Sequence, residues 1–160
     1  MIDGSIMTIP IKISLQAEDF DVAAESARLT QGRTDVGAVV SFVGICRGGA
    51  GADAIEALTL EHYPGMADEE IARHVQQATT RWPLLGVTVI HRHGRIPIGA
   101  NIVLVLTASA HRAAAFEAAE FLMDYLKTSA PFWKREEGGE AKGWVEAKAE
   151  DDAAASRWTR

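Results

Sequence analysis

The chain has 160 residues, 16 basic and 22 acidic, for a formal net charge of −6 at pH 7, and 48% of its residues are hydrophobic. That length suits one domain with a real core, the acidic balance argues against nucleic-acid binding by bulk charge, and the single cysteine, Cys46, excludes an internal disulfide. No apolar run approaches the ~18 residues of a membrane span, and Met1 to Leu15 carries no cation before Lys12, unlike a secretory signal, so the expected location is the cytoplasm.

Ile9, Ile11, Ile13 and Leu15 alternate, which predicts a strand over Ile9 to Leu15. Glu18 to Leu29 reads as a short helix with Phe20, Ala23, Ala24 and Ala27 on one face. Gln31 to Asp35 is a turn, and Val36 to Cys46, rich in Val, Ile and Phe, is a buried strand. Gly48 to Ala52 forms a glycine loop before a strand over Ala54 to Tyr63. Pro64-Gly65 turns the chain into a helix over Met66 to Trp82, whose apolar stripe is Ile71, Val75, Ala78 and Trp82 and which Pro83 stops. Val87 to His93 is a strand, Gly94 to Gly99 a connection containing Pro97, and Ile102 to Leu106 a further strand. The longest helix is Ala110 to Thr128, with Ser109 as its N-cap and a seam of Phe116, Ala119, Met123 and Leu126. A short strand over Trp144 to Ala147 and a helix over Asp151 to Trp158 complete the chain. Strands and helices alternate without a regular βαβ rhythm, which predicts a single α+β domain.

The segment Met123 to Arg135 holds three cations, Lys127, Lys134 and Arg135, and one acid, Asp124. Lysines held against Tyr125, Phe132 and Trp133 are partly desolvated and become neutral amines more readily, fit to act as base or nucleophile. The alternative is a helix that ends in lysine because a cation suits the C-terminal dipole. Arg47 comes straight after a buried strand and just before a glycine loop, where ligand-binding side chains are common, or it is a solvated arginine. That loop lacks the lysine and hydroxyl residue of a P-loop. His111 and Arg112 open a helix, and backbone N–H groups there favour an anion; an ordinary helix start is the other reading. His91 and His93 share a strand face but lack a third metal ligand with supporting spacing, and Cys46 reads as a small buried hydrophobe.

Arg112 and Lys127 stand fifteen residues apart on one predicted helix, roughly 22 Å at the α-helical rise. One helix cannot bring both to one small substrate. A site using both must be shared, for instance by two subunits related by a two-fold axis, with the Phe116–Leu126 seam between them. Alternatively, that seam packs on the sheet.

Several blocks carry a resemblance. They are Gly37–Gly44 (GAVVSFVG), Leu58–Met66 (LTLEHYPGM), Arg81–Leu84, Val89–Arg92, Ala110–Arg112, Ala115–Ala118, Met123–Thr128 (MDYLKT), Ala130–Glu136 (APFWKRE) and Trp144–Ala147. In this order the chain resembles the large, catalytic subunit of molybdopterin synthase, the MoaE family, over residues 36 to 158, with residues 1 to 35 matching loosely. The resemblance implies an α+β fold of the α/β-hammerhead type with a mixed sheet and packed helices. It also implies a homodimer at the centre of a heterotetramer, flanked by small ubiquitin-like sulfur carriers whose Gly-Gly tails end in a thiocarboxylate. The implied activity is that of a sulfurtransferase that passes two sulfurs to cyclic pyranopterin monophosphate, forming the dithiolene of molybdopterin, with no metal or other cofactor in this step. Lys127 and Lys134 match the family's catalytic lysines. Arg47, His111 and Arg112 match its substrate-binding positions, in a pocket built across the dimer. The chain departs from the pattern at Ile45, where many relatives carry a lysine, and in the loop Gly48-Gly49-Ala50-Gly51. Two rival readings stay open: a module that binds a ubiquitin-like tail without chemistry, and an unrelated small-anion enzyme.

Overall fold

The computed structural model describes residues 8–49, 54–138 and 149–159. The predicted strand over Trp144 to Ala147 and the loop residues 50–53 lie outside them.

Seven strands and four helices run in the order β1 (Ile11–Gln16), α1 (Val22–Thr30), β2 (Ala38–Ile45), β3 (Ala57–His62), α2 (Met66–Arg81), β4 (Leu84–Arg92), β5 (Gly94–Pro97), β6 (Asn101–Ser109), α3 (Arg112–Thr128), β7 (Phe132–Glu137) and α4 (Ala149–Ser156) among the described residues. A four-stranded sheet has the order β1-β4-β6-β2, and a three-stranded sheet the order β5-β3-β7. The β1–β4 pair is parallel and the other pairs are antiparallel. The α+β expectation, with a mixed sheet in one domain, therefore holds.

Alternation along β4 and β6 sorts side chains onto two covered faces. On one face Val87, Val89, Val103 and Val105 pack with Ile71, Val75 and Ala78 of α2 and Ala118, Phe121 and Leu122 of α3. On the other, Ile90, Leu104 and Leu106 meet Leu29 of α1 and the partly buried Phe20, Val39 and Val43. Each fully buried Leu or Ile contributes roughly 1.5–3 kcal/mol through the area it removes from water. The smaller sheet closes a third cluster of Cys46, Ile55, Leu58, Leu60 and Ile96.

The structure corrects several sequence expectations. Helix α1 begins at Val22, not at Glu18, because Asp21 caps it: its Oδ1 accepts the Ala24 N–H at 3.1 Å. Gly94 to Pro97 is a strand, β5, and not a connection; its Pro97 sits at the last position of an edge strand, where a missing N–H costs little. The aromatic pair after Pro131 opens β7, which the sequence reading did not foresee. Ser109 is the last residue of β6 rather than the α3 N-cap; its Oγ donates to the Pro83 carbonyl at 2.9 Å, and His111 takes the cap position without a side-chain cap bond. The α3 seam divides: Ala119 and Met123 are buried, while Phe116 is 60% exposed. No helix among the described residues is long and apolar enough to cross a membrane.

Candidate active site

Helix α3 is pinned at both ends, and this fixes where its charged residues fall. At its start the buried Thr107 of β6 donates its hydroxyl to the Ala115 carbonyl at 2.6 Å. At its end the Tyr125 carbonyl accepts the Ser129 and Ala130 N–H groups at 2.9 and 3.2 Å, and the Thr128 hydroxyl bonds the Asp124 carbonyl at 2.7 Å. The Phe132 N–H then bonds the Ala130 carbonyl at 2.8 Å. This tight exit leads from the last turn of α3 straight into β7, so Lys127 and Lys134 arrive at the same place from two elements.

That place is a cavity of about 570 Å³. Lys127 and Lys134 line it together with His91, Phe132, Leu60 and Met123. Phe42 and Ile45 of the edge strand β2 also line it and are 39% and 55% exposed. The lining thus mixes apolar side chains with two ammonium groups and one carboxylate, Asp151, a composition suited to a small anionic ligand whose body is flat or apolar. Lys127 is itself exposed and Lys134 half-buried. The desolvation of Lys127 against neighbouring aromatics, expected from sequence, is not supplied by this one chain.

His91 lies on the β4 face that carries Val87 and Val89, and it is only 7% exposed. Its ring stacks on Phe132, with centroids 4.0 Å apart and planes 15° from parallel. Burial pushes its pKa down to about 4, reinforced by the charges of Lys127, His62 and His93 and opposed by a hydrogen bond to the Arg92 carbonyl. The ring is therefore neutral near pH 7. The sequence reading weighed His91 with His93 as metal ligands; instead His93 sits against His62, 4.8 Å between centroids, and no group of three or more metal-ligating side chains is assembled among the described residues. Phe132 stands beside the lysines as the sequence suggests, but nothing in the sequence marks Leu60 or Asp151, which also line the cavity, as parts of a site; they reach it from another strand and a terminal helix.

The other three candidates lie elsewhere. Arg47 follows β2 and is exposed, outside the cavity lining. Just before it, Cys46 is locked by bonds from its N–H to the Ala100 carbonyl at 2.9 Å and from the Gly99 N–H to its own carbonyl at 2.7 Å. The Cys46 thiol is 1% exposed and burial pushes its pKa up, so it behaves as a small hydrophobe. His111 and Arg112 are exposed at the start of α3, whose first turn contains no acid. That arrangement leaves the helix N-terminus open to an anion. The length of α3 separates Arg112 from Lys127 by about 22 Å, so within one chain the lysine pair and the His111–Arg112 pair are two separate places.

Known proteins supply the remaining context. A curated relative from Mesorhizobium japonicum, called molybdopterin synthase catalytic subunit, is 65% identical over 91% of this chain and 92% of its own length. One of the same description from Brucella melitensis is 57% identical over 94% of this chain and 93% of its own. The solved molybdopterin biosynthesis MoaE protein from Burkholderia ambifaria superposes with a TM-score of 0.79 at 43% identity, covering 94% of this chain and 99% of that one. Residues 15–129 match the family described as MoaE protein, and with these relatives they establish that the chain belongs to the MoaE family.

Proposed function

We propose that this chain is the catalytic subunit of a molybdopterin synthase. In this reading it transfers sulfur from the C-terminal thiocarboxylate of a small ubiquitin-like carrier to cyclic pyranopterin monophosphate, as a sulfurtransferase of molybdenum cofactor biosynthesis. The observation that carries the reading is the convergence of Lys127 and Lys134 on one partly apolar cavity. Its setting in a MoaE-family chain supplies the reaction class.

The chemistry brings two anions together, a cyclic phosphate and a thiocarboxylate. Fixed cations offset that repulsion and stabilise charge as it develops. Lys127 is assigned proton transfer and Lys134 the stabilisation of charge at the acyl group. Each carrier leaves as a carboxylate, so water must enter to hydrolyse the acyl–sulfur bond. Arg47, His111 and Arg112 are assigned to the phosphate; an arginine fork holds two oxygens at once.

In this reading the protein works as a homodimer, which the distance of about 22 Å between Arg112 and Lys127 along α3 supports. The catalytic lysines of one protomer work with His111 and Arg112 of the other, and the carriers sit at the outer ends of a heterotetramer. The exposed apolar side chains Phe42, Ile45 and Phe116 support a covered surface between protomers. Covering that surface would also desolvate Lys127. A lone cysteine that stays a thiol suits a reducing, cytoplasmic setting.

The test is a mixing assay with purified protein, thiocarboxylated carrier and the pterin precursor, read by mass. Formation of the dithiolene product, with stoichiometric conversion of the carrier to its carboxylate, is the expected result. Absence of product with an intact carrier complex would favour a binding module instead.

A further inference from the structure

We propose that His91 and Phe132 are positioning residues for Lys134: their stacked rings form the joint that seats strand β7 on the main core and sets where the lysine stands at the cavity. The inference rests on the sulfur-transfer reading for its catalytic meaning, while the joint itself rests on geometry.

Lys134 belongs to the smaller sheet, on β7, an edge strand paired with β3. That sheet has a core of its own, which includes Leu58, Leu60 and Ile96. Among the described residues, Phe132 is the one apolar side chain of the smaller sheet that packs against the main core cluster. Its ring also lies face to face on His91, with centroids 4.0 Å apart and planes 15° from parallel. Alternation puts Phe132 and Lys134 on one face of β7, two residues or roughly 7 Å apart. A displacement of the ring is therefore carried along the strand to the lysine.

His91 is the fixed half of the joint. It is 7% exposed on β4, an inner strand paired on both sides, with β1 and with β6. Its Nδ1 donates to the Arg92 carbonyl oxygen at 2.8 Å, which holds the ring plane. Two stacked flat rings specify a separation and a tilt, which an aliphatic contact does not. The other imidazole near Phe132, that of His62, stands 6.0 Å away and tilted by 51°, so the His91 face is the close contact. The Phe132 N–H bond to the Ala130 carbonyl, at 2.8 Å, ties the start of the strand to the exit of α3. Lys127 and Asp151 enter the cavity from α3 and α4, so the joint acts on Lys134 and not on them. A reacting group misplaced by about 1 Å can lose about a hundredfold in rate.

The experiment compares wild type with Phe132→Leu, Phe132→Tyr, His91→Leu and the double leucine variant in the full chain. With thiocarboxylated carrier and precursor, Phe132→Leu and His91→Leu are each expected to lower kcat by about tenfold or more. Both KM values should stay within about twofold of wild type, the split expected for lost positioning. Phe132→Tyr keeps the ring and is expected to retain at least about a third of wild-type kcat. The double variant should be within about twofold of the slower single one, because both substitutions break one joint. Nitrogen-15 relaxation gives a readout independent of turnover. The backbone order parameter of Lys134 should fall from about 0.85 towards about 0.6 in the leucine variants and stay high in Phe132→Tyr. Wild-type kcat in Phe132→Leu, a change in KM alone, a tyrosine variant as impaired as leucine, multiplying losses in the double variant, or an unchanged order parameter would each overturn the proposal. If Phe132→Leu does not fold, His91→Leu against His91→Phe carries the same comparison. A wild-type protein that transfers no sulfur would sink the functional reading instead, while the order parameter still decides whether the stack holds Lys134.

Discussion

Lys134 pairs with Leu60 across the β3–β7 ladder. Cross-strand partners in an antiparallel pair share a face, and Leu60, 6% exposed, faces inward. The register therefore turns Lys134 towards the cavity that Lys127 enters from α3, and both residues line it together with Leu60. A slip of one residue would turn Lys134 outward and put Trp133 or Arg135 in its place.

Removing either ammonium should abolish turnover without unfolding the protein. Lys127 is exposed and Lys134 half-buried, so Lys127→Ala and Lys134→Ala are each expected to keep stability within about 1 kcal/mol of wild type. Sulfur transfer should fall by about a hundredfold or more, in the range of a lost proton-transfer or electrostatic group. Product mass in the mixing assay and the denaturation midpoint separate the two effects. Normal turnover by Lys127→Ala removes it from the assigned role.

The separation of Arg112 from Lys127 along α3 yields a test of the shared site. Arg112→Ala should weaken precursor binding in a titration, and Lys127→Ala should stop the chemistry. At a precursor concentration too low to saturate Arg112→Ala, mixing the two impaired variants and allowing subunits to exchange should restore activity. Half of randomly assorted dimers are mixed, and each mixed dimer holds one intact site of two, so recovery should approach about a quarter of wild type. No recovery after proven exchange would place both residues in one chain's site or outside the site altogether.

The main helices and the strands of the larger sheet were legible because their apolar periods are long and their faces are buried. Ile71, Val75 and Ala78 announced α2, and Val103 to Leu106 announced β6. The smaller sheet was harder. β5 offers one fully buried side chain, Ile96, in a four-residue strand that starts at a glycine and ends at a proline. In β7 the alternation is present, but its inward positions are Phe132, Lys134 and Glu136. Charged residues there read as solvent-facing, whereas their face borders a cavity and not a core. The lysines stand out as candidate site residues through the family blocks, and the geometry adds their common cavity. His91 could be noticed as a histidine but not interpreted, because Phe132 and the cavity reach it from distant parts of the chain.

Stability should depend on pH through His91. Its folded-state pKa is lowered from 6.5 to about 4 by burial first. Below the unfolded value the unfolded chain binds a proton that the native ring refuses, so the contribution is fully present above about pH 6.5 and is lost as pH falls towards 4. At pH 5 the loss is about 2 kcal/mol. The lowered carboxylate values of Asp19 and Asp35 act in the same direction, but below pH 4. Denaturation of wild type at pH 7 and pH 5 should reveal the slope, and His91→Gln should reduce it, leaving the part contributed by His74, whose pKa burial also lowers. An equal slope in both proteins would mean that His91 does not control this window.

Gly37 links the family's first block to the start of α3. Its N–H donates to the Ser109 carbonyl at 3.0 Å, and a Cβ built on it would collide with the carbonyl of Ala110. That carbonyl is backbone, so the clash cannot be relieved by a rotamer change; the connection from β6 to α3 would have to move. His111 and Arg112 are the next two residues, so the movement would reach the end of the helix proposed to hold the anion. Gly37→Ala is expected to cost about 2–3 kcal/mol, the range of a forced overpacking, and to weaken precursor binding while leaving Lys127 and Lys134 in place. Calorimetric titration of the precursor and a urea denaturation midpoint check the two effects together. If binding is unchanged while stability drops, the helix start is insulated from the strain, and Arg112 is held by contacts other than the β6–α3 connection.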